Sequence, residues 1–179
     1  MRQAGLRIGV KGRAARSGDL AGAKREIEAI QALRGSLQKS DQSYWADRSQ
    51  EQMLAVSAWV ALAEGGRDQA LKFMRAAADG EDGSVKNVSM ENRLYPMREL
   101  LAELLMEMGQ AAPALREYRA ALKENPNRYR GLYGAAKAAE AAGDRRMAAD
   151  YFAKLVALSR NADTVRPELA GAKAYLAQL

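Results

Sequence analysis

One pattern in this chain is written twice, 34 residues apart. Gly109, Ala114, Tyr118 and Leu122 recur as Gly143, Ala148, Phe152 and Val156, each pair separated by the same interval. A constant interval across four positions of different character constrains the fold more than any composition does. It predicts a helix–turn–helix unit that cannot bury its apolar face alone and must stack against its neighbours.

Each residue type in the pattern has a mechanical reason. Glycine adopts the positive φ of a helix C-terminal cap without steric cost, so Gly109 and Gly143 are predicted to end the first helix of each unit. Ala102 and Ala136 stand where that helix must approach its neighbours closely. Ala114 and Ala148 stand where the second helix crosses the first. Tyr118 and Phe152, one turn later, fill the wedge between helices. Asn125-Pro126-Asn127 stops the second helix of the first copy, because proline lacks the donor that a helix interior requires.

Composition narrows the chemistry. The 179 residues are 48% hydrophobic but only 6% aromatic, which suits alanine- and leucine-rich helix packing, and strand-type runs are absent. Without cysteine there is no disulfide, thiolate metal site or cysteine nucleophile. Without histidine the commonest general base and metal ligand are missing too. The first residues lack a continuous apolar core of the kind a secretory leader needs, which favours the cytoplasm. Nothing approaches 18 consecutive apolar residues, so no membrane-spanning helix is expected. An enzyme would need lysine, tyrosine or carboxylate chemistry, and no such constellation stands out. No cofactor or metal site is expected: the early glycines Gly5, Gly9 and Gly12 lack a phosphate-loop ending, and Glu81-Asp82 lacks calcium-loop spacing.

Along the chain, residues 3–17 form a glycine-weakened helical stretch. Leu20 to Leu33 follows as an amphipathic helix with Ala23, Ile27 and Ile30 inward. Gly35 to Gln42 is expected to be a polar turn. A long helix runs from Ser43 to Glu64, and Gly65-Gly66 closes it. Arg67 to Ala78 forms the next helix, with Ala70 and Met74 in the alanine and aromatic places. Gly80 to Arg93 is expected to be the one substantial loop, a place where function and tolerated insertion both collect. After the doublet, Pro167 begins a last helix with Leu169, Ala172 and Leu176 inward and Lys173 and Gln178 outward.

The doublet, with its period and its small and aromatic positions, resembles the tetratricopeptide repeat family. The resemblance extends over the chain to the C-terminal part of a group of uncharacterised bacterial tetratricopeptide proteins. It is carried by Tyr44-Trp45-Ala46, Ala58 to Gly65, Met74 to Asp79, Pro96, Arg98 to Leu101, Pro126-Asn127-Arg128 and Leu132 to Ala136. Relatives often carry Lys-His-Pro in the loop before the third repeat, where this chain has Lys86-Asn87-Val88. The resemblance implies an all-α fold: a right-handed α-solenoid of antiparallel helix pairs, about 3.5–4 repeats plus a C-terminal capping helix. Residues 1–179 would form one domain, with repeats near 4–34, 43–79, 95–125 and 128–160 and the cap at 166–178. The degenerate first repeat suggests a piece of a longer array. No reaction follows from the resemblance.

Tetratricopeptide superhelices usually bind an extended peptide or a partner helix along the groove lined by their first helices. With the third repeat starting at Tyr95, the groove positions are Glu99, Glu103 and Met106, then Arg130, Tyr133 and Lys137, with Trp59 from the second repeat. Opposite charges on successive helices suit a peptide of mixed charge, or pair with one another at little gain. Trp45 and Trp59 lie 14 residues apart on one helical face, a stripe more often core than ligand platform. Tyr129 and Tyr133, one turn apart, are better recognition candidates. The family's clamp for C-terminal carboxylates needs further Lys and Asn positions, of which only Lys137 is present. The expected function is a non-enzymatic protein-interaction module. Two alternatives come from the N-terminal region, where residues 1–50 hold ten Lys/Arg against five Asp/Glu. One is nucleic-acid binding through Lys11, Arg13, Arg16, Lys24 and Arg25. The other is self-association through Leu6, Ile8 and Val10.

Overall fold

The computed structural model describes residues 19–84, 95–164 and 166–179. All secondary structure among them is helical. In chain order the helices are α1 (Leu20–Lys39), α2 (Ser43–Ala63), α3 (Arg67–Asp82), α4 (Met97–Glu107), α5 (Ala111–Glu124), α6 (Tyr129–Ala141), α7 (Arg145–Leu158) and α8 (Pro167–Leu176). The chain divides into two compact units, Met1–Leu101 and Ala102–Leu179, the division falling inside α4. The expected helix at 3–17, the apolar residues Leu6, Ile8 and Val10, and the basic residues Lys11, Arg13 and Arg16 lie outside the described residues. So does most of the expected loop, including Lys86-Asn87-Val88.

In the first unit α2 packs against both α1 and α3. Its sequence explains that central place: Ala46, Ala55, Val56, Ala58, Trp59 and Val60 are buried on more than one side, as a helix with two partners requires. From α3 come Ala70 and Met74, both fully buried at the places the repeat assigns them. Ala23 and Ile30 are the buried residues of α1, with Ile27 half-buried.

Two boundaries differ from expectation. Helix α1 does not end at Leu33 but continues through Gly35 to Lys39. A single glycine costs a helix only about 1 kcal/mol, which packing along α2 can outweigh. The hydroxyls of Ser36 and Ser40 also bond back to the carbonyls of Ala32 and Ser36, so polarity here does not interrupt the helix. The break comes at Asp41, where φ is +55°. Likewise α3 continues past Ala78 and Gly80 to Asp82, so the expected loop begins later than Gly80.

That extension has a specific cause. The last turn of α3 is acidic and holds no basic residue, which opposes the helix dipole. The opposition is offset by the start of α4. Glu81 accepts a 2.7 Å hydrogen bond from the Met97 N–H, a first-turn donor with no partner inside its own helix. Arg98 reaches back to Asp82 at 2.5 Å and to Asp79 at 3.0 Å. Beside them the Arg48 and Glu51 side chains of α2 pair at 2.6 Å, and Arg48 donates to the Ser84 hydroxyl.

The second unit repeats one arrangement. Helix α6 packs against α5 and α7, and α7 packs against α8. Gly109 and Gly143 take φ of +72° and +80°, as the caps require. Ala102, Ala114, Ala136 and Ala148 are fully buried, and Tyr118 and Phe152 are buried in the wedge positions. Close approach goes furthest at Gly134, where a Cβ would fall on the ring of Tyr118. A glycine on α6 therefore forms the floor under the aromatic side chain of α5.

Candidate partner-binding face

Helix α6 is the element that positions the site. Its α5-facing side is marked by Gly134 and Ala138, and its buried Leu132, Ala135, Ala136 and Ala139 lie further round. At 3.6 residues per turn, Arg130, Tyr133, Lys137 and Glu140 occupy the remaining sector. Arg130 and Lys137 are exposed there, while Tyr133 and Glu140 are half-buried.

The charges on this face pair among themselves. Arg130 donates to Glu103 on α4 at 3.0 Å, and Lys137 pairs with Glu140 one turn along its own helix. Two cations and two carboxylates leave the face near neutral. With Arg130, Lys137 and Glu140 open to solvent and only Glu103 largely covered, the pairs add little to stability. They hold long side chains to either side of Tyr133.

Tyr133 itself is braced. Its ring meets Phe152 of α7 edge-on, with centroids 6.4 Å apart, and Phe152 in turn lies 4.8 Å from Tyr175 of α8. Such contacts fix an aromatic side chain before any partner arrives. Tyr129, one turn earlier, is covered by the Arg166 guanidinium at 4.9 Å. Its hydroxyl has no hydrogen-bond partner among the described residues. Burial raises the Tyr129 pKa above the ordinary tyrosine value, the nearby Glu168 carboxylate raises it further, and Arg166 partly opposes them.

Of the seven expected groove residues, two are buried and five retain accessible surface. Trp59 and Glu99 belong to the first unit and are only 4% and 1% exposed, so neither offers a contact area; Trp59 is part of the core. Glu103, Met106, Arg130, Tyr133 and Lys137 belong to the second unit and retain accessible surface. Three contributors had not been singled out: Glu140, Arg166 and Tyr175. Glu140 was accessible to the rule that opposite charges three residues apart meet on a helix. Arg166 and Tyr175 carry no signal until α8 is placed against α7. Of the basic residues considered for nucleic acid, Lys24 pairs with Glu64 at 2.6 Å. Among the described residues no group of three acidic, histidine or cysteine side chains is placed to hold a metal. No helix among them is long and apolar enough to cross a membrane.

Paired helices with small residues at their crossings, and a large buried wedge residue in each pair (Met74, Tyr118 and Phe152), define a tetratricopeptide-like helical repeat. A solved structure of this kind, PcrH from Pseudomonas aeruginosa, matches with a TM-score of 0.54 and 20% sequence identity, over 72% of this chain and 89% of that one. No family model matches the chain, and no curated protein matches it.

Proposed function

We propose that the chain is a non-enzymatic protein-interaction module whose second unit binds a peptide or partner helix across α4 and α6, centred on Tyr133. The observation that carries this is the braced, half-exposed Tyr133 between two exposed cations, each already neutralised. Rigid aromatic anchors ringed by polar side chains are the usual source of binding energy at protein interfaces. The helical-repeat fold, which PcrH shares, supports testing a protein first, since stacked repeats present extended binding surfaces. Because the face is near neutral, affinity should depend only weakly on salt, unlike a nucleic-acid site.

Selection from a displayed random-peptide library against the whole chain tests the reading. Peptides recovered with wild type are expected to bind an Arg130→Ala/Tyr133→Ala/Lys137→Ala variant at least about tenfold more weakly, the scale of one lost aromatic anchor. Circular dichroism would confirm equal helicity. Recovery of no peptide, or of peptides that bind both proteins equally, would rule this face out.

A further inference from the structure

The second helices of the repeats distribute their charge differently. Counted from the cap glycines Gly65 and Gly109, α3 carries Asp68, Lys72, Arg75 and Asp79 where α5 carries Ala112, Arg116, Arg119 and Lys123. On α3 each cation has a carboxylate four residues away, a spacing that sets opposite charges side by side. On α5 the two acidic places have become Ala112 and Lys123. Three exposed cations therefore follow one stripe of α5, about 10 Å long. None of the three makes an ion pair among the described residues. The carboxylates of α5, Glu117 and Glu124, stand about 110° round the helix from that stripe.

Beside the stripe lies an aromatic side chain of α7. Lys154 stands over the Tyr151 ring, 5.4 Å from its centroid. Burial raises the Tyr151 pKa, while Arg119 of α5 partly opposes the rise, so its guanidinium stands near the phenol. Asp150 acts there too and raises the pKa further. Lys154 is exposed and makes no ion pair among the described residues, although Asp150 is only four residues away. A half-buried ring thus sits beside four unpaired cations: Arg116, Arg119, Lys123 and Lys154.

Cations alone would suit any polyanion, and the ring narrows the choice. An acidic peptide would engage the cations and leave the ring without a partner. A nucleic-acid duplex hides its base faces in the stack. A single strand offers phosphates and open base faces together. We propose that the surface shared by α5 and α7 binds single-stranded nucleic acid, with phosphates on the α5 stripe and a base packed against Tyr151. A base on that ring would take over the contact that Lys154 now makes, freeing its ammonium for a further phosphate. The surface shares no residue with the face around Tyr133, and its occupation does not depend on that face.

The test titrates labelled oligo(dT) and oligo(U), each about 15 nucleotides long, with the whole chain by fluorescence anisotropy. Wild type should bind at least one of them, with a log–log salt slope of about −3, as expected when four cations neutralise phosphates on a single strand. Arg116→Ala/Arg119→Ala/Lys123→Ala should weaken binding at least about tenfold and reduce the slope by about 2. Tyr151→Ala should weaken binding at least about fivefold at an unchanged slope, and Tyr151→Phe should bind as wild type does. Lys24→Ala/Arg25→Ala and Arg130→Ala/Tyr133→Ala/Lys137→Ala should also bind as wild type does, which separates this surface from both the N-terminal cations and the Tyr133 face. Circular dichroism would establish that each variant is folded. Failure to bind either strand would overturn the proposal, as would unchanged binding by the triple cation variant or by Tyr151→Ala. Equally effective competition by a duplex of the same length, by a polyglutamate peptide or by phosphatidylserine vesicles would overturn it too, since the ring would then select nothing.

Discussion

At Tyr129 the hydroxyl and the ring have opposite consequences. The ring packs under Arg166, while the hydroxyl finds no hydrogen bond among the described residues. Its pKa is raised, so the folded state keeps the phenolic proton at a pH where the unfolded chain has begun to release it. Stability contributed by the neutral hydroxyl is therefore complete below the ordinary value of 10.0 and falls as pH rises from there through the folded value. Tyr129→Phe keeps the ring and removes the hydroxyl. At neutral pH the change should be neutral or stabilising by up to about 1 kcal/mol, because an unmade hydrogen bond is removed with its desolvation cost. Above about pH 10 the variant's advantage over wild type should grow. Urea denaturation at the two pH values measures both, and a loss beyond 1 kcal/mol at neutral pH would mean that the hydroxyl is bonded after all. At this scale the alanines, the cap glycines and the wedge aromatics were legible in advance. Each is selected by backbone geometry or by contact inside the repeat. Glu99 and Tyr133 show where that ends: they hold the same place in successive repeats, yet one is buried and the other half-exposed. Exposure depends on what the neighbouring elements cover, and one repeat's pattern does not contain it.

Elements here are ended by their neighbours as much as by their own residues. Helix α3 keeps an acidic last turn because its carboxylates serve the start of α4, with Glu81 holding the Met97 N–H and Arg98 tying down Asp79 and Asp82. Local propensity predicts an end near Gly80, and a long-range bond overrides it. Removing the acceptor should shorten both helices at this junction. Glu81→Ala is expected to cost about 2 kcal/mol, the range for losing a charge-assisted bond to a buried donor. Glu81→Gln keeps an oxygen acceptor and should cost less than half as much. Chemical denaturation gives the energies, and amide exchange at Met97 gives the location. Equal losses in the two variants would show that charge and not the hydrogen bond holds the junction. Extension of α1 beyond Gly35 was hidden for a related reason: its support comes from packing on α2, which polar composition alone does not reveal.

For the whole molecule, the question is how far a disturbance travels. The repeat pattern predicts one domain over residues 1–179, while the chain divides into two compact units inside α4. In a stack of repeats each unit is stabilised mainly by its nearest neighbours, so damage should remain local. Gly134→Ala is a sharp probe, because the added methyl collides with a buried ring. Forcing Tyr118 off its place should cost about 1–3 kcal/mol. The better helix propensity of alanine returns about 1 kcal/mol. The net expectation is a loss of about 1–2 kcal/mol, relieved when Tyr118→Leu is combined with it, since the two positions share one contact. Amide exchange then reads the spread. Protection should fall in α5, α6 and α7 and remain at wild-type level in α1, α2 and α3. An equal fall in all of these helices would show instead that residues 1–179 open as one cooperative block, and a stabilised variant would mean that the Tyr118 ring is free to move aside.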